Sequence, residues 1–175
     1  MTETLTTIDT PRLTLVCCTK EILEELFKGN KALGRYLNIN VESKWSEFGE
    51  PAFRWTYDRL VQPDVRKEWW SYLPVLKEEN RLIGSCGYKG EPRNGMVEIG
   101  YEVRASHRRK GLATEMATAL ISHAFEHEEV TKVQAHTLAL ENESCSILRK
   151  LGMEKVEELE DIDDGLVWRW EICRD

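Results

Sequence analysis

The chain has 175 residues and carries 31 Asp and Glu against 24 Lys and Arg, a formal net charge of −7 with histidine neutral. A domain of this size buries roughly 70% of its unfolded surface, so 41% hydrophobic residues suffice for a core without disulfides or a structural metal. The acidic balance excludes nucleic-acid or anionic-membrane partners held by bulk electrostatics, and any anion site must be local.

Residues 12–17 read as a strand with Leu13 and Leu15 on one face, and residues 20–28 as a helix carrying Ile22, Leu23, Leu26 and Phe27 at helical spacing. Over residues 30–62 the periodicity blurs while Tyr36, Trp45, Phe48, Phe53, Trp55 and Tyr57 accumulate, which predicts short helices and loops rather than a regular layer. Residues 70–76 and 81–86 read as an antiparallel hairpin turning at Asn80. The next strand, residues 97–103, alternates strictly. Val97, Ile99, Tyr101 and Val103 face the core, and Glu98, Gly100 and Glu102 face the other way.

Ala113, Met116, Ala117, Leu120, Ile121 and Ala124 share one helical face, predicting a long helix that starts near Lys110. Residues 130–138 form a further strand, followed by a short helix over 142–151 with Asn142 or Ser144 as its N-cap and Gly152 behind it. Residues 153–159 and 166–173 close the chain as a hairpin around Asp163, Asp164 and Gly165. Trp168 and Trp170 share a face there and read as packed sheet residues, while Trp69 and Trp70 read as strand residues pointing opposite ways. No repeat or linker interrupts the pattern, so one mixed α/β domain spans residues 1–175.

Cys17, Cys18, Cys86, Cys145 and Cys173 form no CxxC and no His/Cys ligand spacing, and they read as reduced cytosolic thiols. His123, His127 and His136 lack a third ligand at metal spacing. Residues 1–11 lack the pattern of a secretory leader, and no run reaches about 18 apolar residues. The expectation is a cytoplasmic protein with no metal and no nucleic-acid or membrane partner.

Between the central strand and the long helix, His107, Arg108, Arg109 and Lys110 are consecutive and lead through Gly111, Leu112, Ala113 and Thr114 into the helix. The first turn of a helix leaves backbone N–H groups unpaired and carries about half a positive charge, so this turn suits a phosphate. A solvated basic turn is the plain alternative. The GxxxxGK[ST] and GxGxxG patterns are both absent.

Arg108-x-x-Gly111-x-Ala113 behind a Val-ended strand resembles the (Gln/Arg)-x-x-Gly-x-(Gly/Ala) acyl-CoA pyrophosphate loop of the GNAT acyltransferase superfamily. The stretch Thr10-Pro11-Arg12-Leu13-Thr14-Leu15 is similar to the opening strand of its RimJ/RimL-like branch. Glu98-Ile99-Gly100-Tyr101 is similar to its central strand, and Asn142-Glu143-Ser144 with Leu148-Arg149-Lys150-Leu151-Gly152-Met153 to its last helix. Four matches in the family's order cover nearly the whole chain. The resemblance implies a single GNAT-like α/β (α+β) domain with a mixed, largely antiparallel sheet of about seven strands flanked by helices. The strands around Val103 and Thr137 should splay apart to admit pantetheine. Acetyl-CoA is the implied cosubstrate, held by Val103, Arg108, Arg109, Lys110, Gly111, Leu112, Ala113, Thr114 and Asn142, with the acceptor amine entering from the other side.

Acyl transfer to an amine needs a neutral amine, a donor for the oxyanion and a proton for the departing thiolate. Glu98 or Glu102 would take the ammonium proton, directly or through water, with a solvated strand face as the alternative; Glu98 is preferred. The family spaces its Asn and Gly one residue further apart than Asn142 and Gly152. Counting back from Gly152 puts Ser144 at the family serine, and counting forward from Asn142 puts Cys145 there. Ser144 is the expected thiolate acid, with a helix cap as its alternative role. The tyrosine that relatives outside this branch use falls at Leu148, so the proton donor stays open between Ser144, Cys145 and water.

Residues 157–164 read as an acidic hairpin tip that would favour a cationic acceptor if it borders the mouth. The expected activity is transfer of acetyl from acetyl-CoA to a primary amine by direct attack in a ternary complex. The acceptor is an N-terminal α-amine of a protein or peptide, or a small amine, and the enzyme a monomer or homodimer. The alternative is an acyl-CoA-binding sensor or scaffold that binds CoA without turnover.

Overall fold

The computed structural model describes residues 4–175. The chain opens with β1 (Thr7–Asp9) and β2 (Leu13–Cys17), then α1 (Lys20–Lys28), α2 (Asn30–Leu37) and α3 (Gly49–Leu60). Next come β3 (Ser71–Leu76), β4 (Arg81–Leu82), β5 (Gly84–Tyr88) and β6 (Met96–Val103). The second half holds α4 (Leu112–Glu126), β7 (Lys132–Leu138), α5 (Glu143–Lys150), β8 (Glu154–Asp161) and β9 (Gly165–Cys173). Local chemistry sets several of these bounds. Thr19 Oγ1 accepts from Ile22 N at 3.2 Å to cap α1, and Gly29 ends that helix with φ 116°.

The strands form one sheet in the order β1-β2-β3-β5-β6-β7-β9-β8, with β4 also on β3. Nine strands replace the expected seven or so because β1 and β4, of three and two residues, carry too short a pattern to read. Every pairing is antiparallel except β6 with β7. That parallel pair holds only at Met96 with Lys132, Val97 with Val133 and Glu98 with Gln134. Beyond Glu98 the two strands part, while β6 stays bonded to β5 as far as Val103 and β7 to β9 as far as Leu138. The expected splay is therefore an opening flanked by sheet on both sides.

Strand alternation feeds two apolar layers. On one side Leu13, Leu15, Tyr72, Val97, Ile99 and Val133 pack against Met116, Leu120 and Ala124 of α4 and Cys145 and Leu148 of α5. On the other, Val16, Leu73, Val75 and Leu82 pack against Ile22, Leu23, Leu33 and Phe53 of α1 to α3. No buried residue of β6 to β9 joins that second layer. The same face of those strands stays polar, carrying Glu98, Gln134, His136, Arg169 and Glu171.

Trp170, 1% exposed, anchors the first layer and donates Nε1–H to Thr137 Oγ1 at 3.0 Å; burying such a ring contributes about 4–6 kcal/mol of transfer free energy. Trp168 is half-buried beneath Lys155, whose Nζ lies 3.8 Å from the ring centroid. The strand begins at Ser71, one residue later than the pattern implies. The two indoles point opposite ways as expected: Trp69 packs on Tyr88, His123 and His127 on the α4 side, and Trp70 on Trp55 of α3. The edge strand β8 is mostly charged and exposed, which blunts edge-to-edge pairing, and Ile162 at its hairpin tip is 98% exposed. No helix among the described residues is long and apolar enough to cross a membrane.

Candidate active site

The basic turn is built by backbone reversal. Arg109 (φ 60°) and Gly111 (φ 76°) both take left-handed conformations, so α4 starts at Leu112 instead of near Lys110. Among the described residues, the backbone N–H groups of residues 109–114 have no acceptor within the chain; the first helical bond runs from Glu115 N to Gly111 O. Alternating left- and right-handed residues at a helix N-terminus aim such amides into one concavity suited to an anion.

The turn is held from outside by Arg12, at the entry to β2. Its Nη1 donates to Lys110 O at 2.7 Å and its Nε to Glu115 Oε2 at 2.7 Å, while its backbone N donates to Glu115 Oε1 at 2.7 Å. Burial alone would raise the Glu115 pKa, but the Thr10 hydroxyl and the Arg12 amide and guanidinium hold it below the usual carboxylate range.

The three cations of the turn separate. Arg108 Nε donates to Val103 O at 2.9 Å and its Nη2 meets Glu47 Oε1 at 2.7 Å, so this guanidinium buttresses the end of β6. Arg109 and Lys110 form no ion pair among the described residues. His107 is buried, with Nε2 3.0 Å from Glu79 Oε2.

The two glutamates of β6 also part. Glu102 bonds Ser46 Oγ, accepts from Glu47 N at 3.0 Å and from Ser85 Oγ at 2.9 Å, and thereby tethers the segment before α3. Glu98 stands at the last paired position before the opening. It meets Lys89 Nζ at 2.6 Å, His136 Nδ1 at 2.9 Å and Gln134 Nε2 at 3.4 Å. Burial pushes its pKa up, yet the Lys89 ammonium and then His136 outweigh this and hold the carboxyl below its ordinary value.

On the other face of the opening, Asn142 caps α5, its Oδ1 accepting from Cys145 N at 3.0 Å, which leaves Ser144 free of that duty. Cys145 is buried, its Sγ 3.5 Å from Leu140 O and 3.6 Å from Thr137 Oγ1. Burial pushes the Tyr101 phenol up to about 12, against a smaller opposing effect of the Ser144 side chain. Replacing Asn142 by Ala should lower stability by about 1 kcal/mol with little change in kcat. Ser144→Ala should leave the melting temperature in place and lower kcat roughly tenfold at unchanged acetyl-CoA Kd. Thermal melts beside steady-state kinetics separate the two, and an unchanged rate in Ser144→Ala removes that hydroxyl from proton transfer.

The model of the Acetyltransferase (GNAT) domain family matches residues 12–154. The chain belongs to the GNAT acetyltransferase family. It is an acetyl-CoA-dependent N-acetyltransferase by that membership. The relative named Uncharacterized N-acetyltransferase YjdG, from Bacillus subtilis (strain 168), is 33% identical over 150 residues, covering 83% of this chain and 88% of that one. RimL, a ribosomal L7/L12 alpha-N-protein acetyltransferase solved in complex with coenzyme A, shares the fold at TM-score 0.69 and 16% identity, covering 96% of this GNAT chain and 98% of its own. The ribosomal-protein-S5-alanine acetyltransferase from Vibrio fischeri does so at TM-score 0.69 and 16% identity, covering 97% of each chain.

Four residues stand around these groups that sequence reasoning does not bring there. From sequence, Arg12 reads as part of a strand, Tyr101 as a core residue and His136 as a candidate metal ligand, and Lys89 carries no signal. Their roles depend on which strands lie side by side, a relation that local periodicity does not carry. The one local sign was a tyrosine on the core face two residues before the strand's end.

Proposed function

We propose that this N-acetyltransferase moves acetyl from acetyl-CoA to a primary amine by direct attack in a ternary complex, with the N-terminal α-amine of a protein or peptide as the favoured acceptor. The observation that carries this reading is the opening between β6 and β7 beyond Glu98, with unpaired amides at one end and an uncovered polar face beside it. In this reading the N–H groups of residues 109–114, with Arg109 and Lys110, receive the pyrophosphate, and the β6 backbone toward Val103 pairs with pantetheine. The amine approaches from the face that bears Glu98, which serves its deprotonation directly or through a group bonded to it. Ser144, on the opposite face beside Tyr101, protonates the thiolate.

A protein α-amine is favoured over a small amine because the uncovered face extends across four strands, and because two proteins of the same fold are named for acetylating ribosomal proteins. The test offers acetyl-CoA with peptides of varied N-termini and with small amines, and detects free thiol. Peptides with a free α-amine should release thiol at least tenfold above hydrolysis, and the same peptides with blocked N-termini should not. CoA binding without thiol release from any amine would sink the transfer reading in favour of a CoA-binding sensor.

A further inference from the structure

We propose that His136 is the general base that deprotonates the acceptor amine, and that Glu98 is a positioning residue which fixes the tautomer of its imidazole. This deepens the transferase reading above and rests on it. His136 lies on β7 two residues beyond Gln134, the last residue paired with β6, and on the same face as Glu98. Its Nδ1 reaches back across the opening to Glu98 Oε1 at 2.9 Å. An ionised carboxylate only accepts, so Nδ1 carries the proton and Nε2 keeps its lone pair. Nε2 has no hydrogen-bond partner among the described residues, and the side chain is 22% exposed against 18% for Glu98.

The surrounding charges are arranged for this. Lys89 neutralises Glu98 from the end of β5. Arg169, opposite His136 on β9, is itself matched by Glu157 and Glu171, and Asp161 at the end of β8 feels both Lys89 and His136. A carboxylate held ionised this firmly is a poor base, whereas an imidazole is the side chain most often used as a general base, and its cation would gain the nearby carboxylate.

The acceptor enters as an ammonium group, and Nε2 removes one proton and passes it to water. The freed lone pair attacks the thioester carbonyl carbon. The N–C bond forms, the C–S bond breaks, its electron pair leaves with sulfur, and the surplus proton on nitrogen goes to the thiolate. Ammonium and thioester become amide, thiol and one released proton.

The test measures kcat between pH 5.5 and 9 with a peptide acceptor and acetyl-CoA. The wild type should show an acidic limb, along which protonation of the base removes its lone pair. His136→Gln should lower kcat at pH 7 about a hundredfold, abolish that limb and leave the acetyl-CoA Kd within about twofold. Glu98→Gln should move the limb to lower pH, because the imidazolium loses its carboxylate partner. Added imidazole should restore part of the rate of His136→Ala but none of that of His136→Gln, whose side chain fills the space. A His136→Gln enzyme with the wild-type limb, at full or reduced rate, overturns the assignment, as does absence of imidazole rescue. A wild type that releases no thiol from any amine overturns the transferase reading instead.

Discussion

Glu98→Gln is expected to lower kcat at pH 7 about a hundredfold, equivalent to about 2.7 kcal/mol of transition-state stabilisation, with acetyl-CoA affinity unchanged. Glutamine keeps the shape and removes the charge. Lys89 Nζ, 2.6 Å away, loses its counter-ion, and His136 Nδ1, 2.9 Å away, faces an amide that can present N–H as readily as oxygen. If the amide donates to Nδ1, the neutral imidazole carries its proton on Nε2 and presents no lone pair to the opening. The basic turn proposed for acetyl-CoA lies beyond the other end of β6, so calorimetric titration with acetyl-CoA should not register the change. A kcat and pH profile matching the wild type would remove Glu98 from positioning the imidazole. Glu102 bonds Ser46, Glu47 and Ser85 and makes no hydrogen bond to His136.

Gly111→Asp should weaken acetyl-CoA binding at least tenfold, about 1.4 kcal/mol or more. A negative charge enters a turn whose unpaired amides favour an anion. The left-handed φ of 76° adds strain, and a Cβ here would lie 3.3 Å from Arg12 Nη2, so the new carboxylate also draws Arg12 from Lys110 O. Gly111→Ala carries the strain without the charge and should weaken binding by less than about threefold. Calorimetry on both variants, with melting curves as a folding control, apportions the loss. Unchanged affinity in Gly111→Asp would remove the cosubstrate from this turn.

The features visible in the sequence were those in which one element suffices. The alternation of Val97, Ile99 and Val103 against Glu98 and Glu102 placed both carboxylates on the correct face, and the spacing from Met116 to Ala124 identified the apolar face of α4. The helix starts two residues later than its spacing implies because Arg109 and Gly111 take left-handed conformations, and at Arg109 no local propensity announces one. The sequence analysis prefers Glu98 to Glu102 but does not show their partners. Lys89 and His136 meet the first and Ser46 and Ser85 the second, which only strand order brings together. The cap on α5 was open between Asn142 and Ser144 because both residue types cap well, and backbone geometry decided it.

Arg12 and Glu115 are 103 positions apart, yet their contacts hold the turn that starts α4. A nascent or refolding chain can form α4 early, since helical bonds are local, but closing so long a loop is entropically slow and must follow sheet assembly. Acetyl-CoA would then recognise only molecules in which β2 has already docked. Its stabilisation would fall on global unfolding, not on local opening of the helix, and amide exchange slowed by acetyl-CoA should extend to β2 and its neighbours in the sheet as well as to the turn itself.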